Sequence, residues 1–145
     1  MNQEILPKEN ILLNVTIESK EEAIRKAGEV LVKGGYVDAG YIEKMLEREE
    51  LTSTYMGNGI AIPHGTEDAK KNVRKSGISI LQVPNGVDFG NGNVVKVVFG
   101  IAGKDNEHLD LLSKIAITCS DESNIQRILD ASTEEDLLAI FKEED

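Results

Sequence analysis

The residue with the clearest capacity for chemistry is His64, which lies in the stretch GNGIAIPHGT at residues 57–66. Residues 60–62 form a short apolar run that predicts a buried strand, and Pro63 ends it because proline cannot donate to a strand ladder. Gly65 follows, so no bulky neighbour screens the imidazole. Such an imidazole can act as a base, a metal ligand or a nucleophile that becomes covalently modified. Ligands of open α/β sheets bind beyond the carboxyl ends of strands, so a site is predicted here.

The segment after Gly65 points to anion chemistry. Thr66 is a possible N-cap, and the acidic residues that follow it favour the first turn of a helix. The N-terminus of a helix presents free N–H groups, which bind anions. An imidazole beside such a helix start suits work on an anion such as phosphate.

Two further residues are candidate partners of His64. His108 lies in the first turn of a predicted helix, where the positive helix end disfavours protonation of the imidazole. An exposed histidine without a role fits the same position. Arg48 lies near the end of a predicted helix over residues 38–50, among glutamates. A solvated ion pair explains Arg48 equally well, so the spacing leaves both residues open.

Other kinds of site find little support in the sequence. The chain has two histidines and one cysteine without short ligand spacing, so no metal site is predicted. Cys119 lies on the apolar stripe of a predicted helix and is interpreted as a small buried hydrophobe. A nucleophile-elbow motif and a glycine-rich phosphate loop are both missing from the sequence. Hydrolase and nucleotide-binding functions are therefore not favoured.

Composition bounds the class of protein and of partner. The 145 residues are 40% hydrophobic and 29% charged, which is typical of one soluble globular domain. A net charge of −10 argues against nucleic acid and anionic membrane as partners. The N-terminus lacks a signal-peptide pattern, and no run approaches the roughly 20 apolar residues of a membrane span. We therefore expect a cytoplasmic protein without membrane insertion and without an internal disulfide.

Strands and helices alternate along the chain, and they must bring the candidate residues together. Ser19 and Glu22 form a capping box for a first helix that ends at residues 34–35. Ser132 and Glu135 form a second box, for the last helix. Strands are predicted over residues 10–15, 60–62, 78–83 and 94–101. Further helices are predicted over residues 38–50, about 105–119, 122–131 and 133–142, and a short one is predicted to begin at about residue 67. Pro84 is predicted to end the strand before it, and residues 51–59 to form a connecting loop. This order predicts an α/β fold of one domain over residues 1–145, with a mixed, mostly parallel sheet of about five strands and helices on both faces.

Residues 57–66 resemble the active-site segment of the mannitol/fructose class of phosphotransferase-system enzyme IIA. Residues 22–24 with 33–37, and then residues 45–49, resemble the family's preceding helices. Residues 100–102 with 106–109 resemble its segment with the second histidine. The resemblance spans nearly the whole chain, and the Pro-His-Gly-Thr and Asn-Glu-His sequences are most similar to the mannitol-specific branch.

The resemblance implies a phosphocarrier. His64 would accept a phosphoryl group on Nε2 from phospho-HPr and pass it to a cysteine of enzyme IIB for mannitol uptake. Arg48 would neutralise charge on the phosphoryl oxygens, and His108 would donate a hydrogen bond. Thr66 and Gly65 would bind phosphate oxygens. The family needs no metal and no cofactor, and this chain resembles a free-standing IIA component.

Three alternatives stay open at the level of sequence. Two lie within the family: a fructose-specific IIA and a nitrogen-type regulatory IIA, which share the His64 segment. The segment around His108 favours a sugar-specific IIA. The third is a IIA-like binding module of transcriptional regulators, against which the lack of a predicted DNA-binding motif counts. The acidic balance suits the basic surface that HPr presents, so phosphotransfer is expected to slow as salt rises.

Overall fold

A five-stranded mixed sheet forms the centre of the computed structural model, which describes residues 3–142. Its strands are β1 (Ile11–Leu12), β2 (Tyr55–Gly57), β3 (Ile60–Ala61), β4 (Gly77–Asp88) and β5 (Val94–Ala102). They lie in the order β1-β4-β5-β3-β2. The pairs β1/β4 and β3/β5 are parallel, whereas β2/β3 and β4/β5 are antiparallel. The predicted mixed sheet of five strands is confirmed, with parallel and antiparallel pairs equal in number.

Helices cover both faces of the sheet, as predicted. They are α1 (Lys20–Lys33), α2 (Gly40–Leu51), α3 (Glu107–Cys119), α4 (Glu122–Asp130) and α5 (Glu134–Lys142). One core cluster joins α1 and α2 to the sheet, and the other joins α3, α4 and α5 to the opposite face. Along β5, Val97 and Phe99 enter the second cluster and Val98 enters the first. Both faces of β5 are therefore buried, which is why its sequence is almost continuously apolar.

The first predicted helix cap is present, but the last one is displaced. The Ser19 hydroxyl accepts the N–H of Glu22 at 3.1 Å, and α1 ends before Gly35, which adopts a φ of +80°. At α5 the Thr133 hydroxyl accepts the N–H of Asp136 at 3.1 Å. The predicted box of Ser132 and Glu135 is thus wrong by one residue. Thr133 offers the same hydroxyl where the chain enters α5.

Two local predictions about strands are wrong. β4 continues past Pro84 to Asp88, and its pairing with β5 shifts between Gln82 and Val87. A proline is tolerated at such an irregularity because no ladder N–H is needed there. The predicted loop over residues 51–59 contains β2, which turns into β3 through residues 57–59 with φ angles of +101°, +53° and +79°. Glycine and asparagine are the residues that adopt these angles most readily.

The segment after Thr66 is helical, but it is a 3-10 helix over Glu67–Asn72. Thr66 is its N-cap residue, yet the Thr66 side chain makes no capping hydrogen bond. No helix within the described residues 3–142 is long and apolar enough to cross a bilayer.

The parallel pairing of β3 with β5 determines where the two histidines lie. Parallel strands end at the same edge of a sheet, so the segments that follow β3 and β5 emerge together. β3 leads to Pro63 and His64, and β5 leads to α3 and His108. The N–H of Ile101 on β5 donates to the Pro63 carbonyl at 3.0 Å, which fixes the turn before His64 against β5.

Candidate active site

The candidate residues from the sequence all line one cleft, whose volume is about 480 Å³. The cleft lies beyond the carboxyl ends of β3 and β5, between the end of α2 and the start of α3. The candidates that line it are Arg48, His64, Gly65, Thr66 and His108. Sequence spacing left the convergence of Arg48 and His108 on His64 open, and the fold brings them together.

His64 is half-buried and held in one tautomer. Its Nδ1 lies 2.8 Å from the carbonyl oxygen of Ile62, which can only accept a hydrogen bond. Nδ1 therefore carries the proton, and the lone pair of the neutral ring lies on Nε2. Burial lowers the pKa of His64 below 6.5, and the charges of Arg48 and His108 lower it further, whereas the bond to Ile62 and the charge of Glu49 oppose the shift. At neutral pH the ring is therefore mainly uncharged, with its lone pair on Nε2.

Arg48 reaches the cleft from the last turn of α2. Its Nη1 donates to the carbonyl of Thr52 at 2.7 Å, which satisfies one of the free carbonyls at the helix end. The neighbouring carboxylates of Glu47 and Glu49 pair with Lys44 at 3.4 Å and Lys20 at 3.6 Å. The guanidinium therefore adds positive charge to the cleft that these two glutamates do not neutralise.

His108 lies in the first turn of α3 and is half-buried in the wall of the cleft. Gly103 packs directly beneath it. A Cβ on Gly103 would lie 2.1 Å from the His108 backbone nitrogen and 2.4 Å from its Cα. Only glycine lets the segment after β5 lie this close to the start of α3, so Gly103 sets the position of His108.

Gly65 and Thr66 lie in the cleft, but their obvious donors already have protein partners. The N–H of Gly65 donates to the Tyr41 hydroxyl at 2.9 Å. The Thr66 hydroxyl donates to the Asp68 carboxylate. Either group would have to exchange that partner before it could bind a phosphate oxygen.

Two residues of this region were missed at the level of sequence, because only long-range contacts show their roles. Tyr41 and Glu49 both lie on the buried stripe of α2, at intervals of four residues with Met45 between them. The Tyr41 hydroxyl donates to the Ile101 carbonyl at 2.8 Å and so links Gly65 to β5. Glu49 is only 5% exposed. A polar group on an apolar stripe was the available signal, since buried hydroxyls and carboxylates need partners.

Comparison with known proteins assigns this chain to a family. Residues 4–144 match the model of the phosphoenolpyruvate-dependent sugar phosphotransferase system, EIIA 2. The sequence is 62% identical over 143 residues to the mannitol-specific phosphotransferase enzyme IIA component of Geobacillus stearothermophilus, covering 99% of each chain. It is 64% identical over 140 residues to that of Bacillus subtilis, covering 97% of this chain and 98% of the other.

A solved structure shows the same fold. In the complex of enzyme IIA and phosphorylated enzyme IIB for mannitol from Escherichia coli, the matched chain is 43% identical with a TM-score of 0.91. The match covers 95% of this chain and 97% of the other. Over nearly its whole length, then, this chain belongs to the EIIA 2 family of the phosphoenolpyruvate-dependent sugar phosphotransferase system.

Proposed function

We propose that this protein carries a phosphoryl group on Nε2 of His64, in the branch of the system that takes up mannitol. HPr donates the group from its phosphohistidine, and a cysteine of the mannitol enzyme IIB accepts it. The observation that carries this proposal is the 2.8 Å bond between His64 Nδ1 and the Ile62 carbonyl. It leaves the nucleophilic lone pair on Nε2, in a cleft that Arg48 and His108 also line.

The first transfer follows from this geometry. The Nε2 lone pair attacks the phosphorus of phospho-HPr, and the new N–P bond forms as the donor's N–P bond breaks. Negative charge spreads over the three equatorial oxygens in such a transition state, so catalysis consists mainly of positioning and charge stabilisation. Arg48 supplies positive charge and His108 a hydrogen bond. The ring of His64 gains positive charge as the bond forms, and the Ile62 carbonyl stabilises it through Nδ1–H.

The second transfer reverses these changes. The IIB thiolate attacks phosphorus, an S–P bond forms, and the electron pair of the N–P bond returns to Nε2. Because Nδ1 keeps its proton throughout, His64 regains its starting tautomer without a proton transfer. The acceptor thiol is not Cys119, because Cys119 is buried in the second core cluster and burial raises its pKa to about 12.

Mannitol is supported by the names of the relatives that are 62% and 64% identical to this chain. Fructose-specific and nitrogen-type IIA proteins remain the alternatives. The discriminating measurement is transfer of labelled phosphate from the phosphorylated protein to the IIB domain of a mannitol permease, with a fructose IIB domain run in parallel. A faster transfer to the fructose domain would overturn the mannitol assignment.

The test of the site uses labelled phosphate from phospho-HPr. His64→Ala should abolish labelling. Arg48→Ala should slow it on the order of 100-fold, the size usual for loss of one transition-state donor, and His108→Ala should also slow it. Arg25 on α1 pairs with Glu21 and Glu43, outside the cleft, so Arg25→Ala is the matched control and should keep the wild-type rate. Histidine-bound label in His64→Ala would refute the central assignment.

Electrostatics give a further test of the donor. The net charge of the chain is −10, and Glu67 and Asp68 are exposed at the cleft. Glu67 pairs with Lys70 and Asp68 pairs with Lys44, so the attraction of a basic partner comes from the net charge of the chain. That attraction is screened over about 10 Å at 0.1 M salt. The rate of phosphotransfer from HPr at limiting concentration should therefore fall as salt rises. A rate that is flat across ionic strength would contradict docking by charge complementarity.

A further inference from the structure

Glu49 is a buried carboxylate that the transfer mechanism does not use. It is 5% exposed and lies on the inward face of α2, one residue after Arg48. Its Oε1 accepts two hydrogen bonds from Thr54, at 2.9 Å from the backbone N–H and at 2.5 Å from the hydroxyl. Its Oε2 lies 3.6 Å from the Nζ of Lys20. Burying a carboxylate is costly unless it is paired, so such an arrangement calls for a reason.

A continuous path of hydrogen bonds leads from Glu49 to His64. The carbonyl of Thr54 accepts the N–H of Ile62 at 3.0 Å. The carbonyl of Ile62 in turn accepts the Nδ1–H of His64 at 2.8 Å. Each link joins the partner of the one before it, so Glu49 and His64 are connected through Thr54 and Ile62.

The segment between Thr54 and Ile62 needs an anchor. It consists of β2, a tight turn and β3, and β2 is an edge strand with only one neighbour. The three turn residues all have positive φ, and β3 itself is two residues long. On its inner side β3 pairs with β5, but on the outer side only the short β2 pairs with it, with a shifted register, whereas Glu49 lies on a regular helix. The clamp on Thr54 therefore ties the support of His64 to α2, which also carries Arg48.

We propose that Glu49 is a positioning residue for His64: its clamp on Thr54 holds the Ile62 carbonyl where it keeps the proton on Nδ1 and the lone pair on Nε2. This inference rests on the proposed role of His64 as the phosphorylated residue. A free neutral histidine side chain in water prefers the other tautomer, with the proton on Nε2. If the Ile62 carbonyl moved away, the lone pair would shift to Nδ1, on the side away from the incoming phosphoryl group.

The experiment reads the tautomer directly, on unphosphorylated protein. Long-range ¹H–¹⁵N correlation spectra give the ¹⁵N shifts of both ring nitrogens, and the chain has only two histidines to assign. The wild type should be in the Nδ1–H form. Glu49→Ala should move His64 measurably toward the Nε2–H form. It should also slow transfer from phospho-HPr on the order of tenfold, as loss of a group that orients a metal-bound histidine does in other enzymes.

Three further variants separate the positioning of His64 from a simple loss of structure. Glu49→Gln keeps an oxygen for both Thr54 donors, so it should keep the Nδ1–H form. Glu50 is exposed on the same helix, and Glu50→Ala should change neither tautomer nor rate. Thr54→Val keeps the branched shape but removes the hydroxyl, and it should shift the tautomer in the same direction as Glu49→Ala by a smaller amount.

The measured tautomer of His64 decides whether the proposal about Glu49 stands. If Glu49→Ala folds, an unchanged Nδ1–H population in it refutes the proposal; if it does not fold, the same observation in Thr54→Val refutes it. The proposal is supported if Glu49→Ala shifts the tautomer and Glu49→Gln keeps the Nδ1–H form of the wild type. Failure of the proposed function would look different: His64→Ala would still be labelled on a histidine, whatever the tautomer.

Discussion

Removal of the Tyr41 hydroxyl should weaken the fold and the site together. This hydroxyl donates to the Ile101 carbonyl at 2.8 Å and accepts the Gly65 N–H at 2.9 Å, and Tyr41 is 4% exposed. Burial raises its pKa to about 12, so the phenol stays protonated and can make both bonds at neutral pH. Tyr41→Phe keeps the ring against Gly65 and removes both bonds.

The size of the effect follows from these two contacts. A buried hydrogen bond contributes roughly 0.5–1.5 kcal/mol net, so the loss of two should lower the free energy of unfolding by about 1–3 kcal/mol. For a domain of this size that is a fall in Tm of about 3–9 °C. Because Gly65 is next to His64, phosphotransfer from HPr should also slow, by several-fold.

Tyr36→Phe is the matched control. Tyr36 is also buried, at 3% exposure, and its hydroxyl donates to the Glu4 carbonyl at 2.9 Å, outside the cleft. This variant loses the bond to Glu4 and an interaction with the Asn10 side chain, so it should lose about 1–2 kcal/mol of stability. It should keep the wild-type transfer rate. Urea unfolding and labelled-phosphate transfer measure the two effects separately. Equal slowing by both variants, or an unchanged free energy of unfolding in Tyr41→Phe, would refute the reasoning.

Three further predictions concern the neighbours and the charge of His64. Gly103→Ala should slow transfer as His108→Ala does, because its Cβ would meet the His108 backbone at 2.1 Å; the His64 tautomer, read by NMR, should not change. Burial lowers the pKa of His64 below its unfolded value of 6.5, so the unfolded chain takes up this proton first as pH falls. The free energy of unfolding should therefore decline as pH falls from 6.5 to the pKa of His64 in the folded protein. Urea unfolding at a series of pH values measures this decline, and His64→Asn should lack the part that His64 causes. Arg48→Ala removes a positive charge that lowers the pKa of His64, so NMR titration should show that pKa rising, and a lower value would contradict the proximity of the two side chains.

Much of the fold could be predicted because local patterns agreed with tertiary packing. The Ser19 cap, the left-handed stop at Gly35 and the apolar run of β5 depend on neighbouring residues or on period, and all three are present. The errors arose where tertiary contacts override a local signal. Pro84 ends a strand in isolation, yet here the shifted pairing of β4 with β5 accommodates it.

The candidate site, too, was predicted in part from local sequence and in part only from the tertiary structure. Sequence alone determined that His64 follows a buried strand in an open Pro-His-Gly turn, because strand periodicity and proline geometry are local properties. It also supplied Arg48 and His108 as residues of the right type. Their convergence came only with the tertiary structure: β3 and β5 run parallel, so the chain after each emerges at one edge.

Only the tertiary structure decided the state of the histidine. The tautomer of His64 depends on the Ile62 carbonyl, and the place of that carbonyl depends on Thr54 and Glu49. A sequence pattern records that Glu49 interrupts an apolar stripe, but it does not say which donors meet the carboxylate. Hydrogen bonds depend on distances of a few tenths of an ångström between residues far apart in the chain, and those distances exist only once the chain has folded.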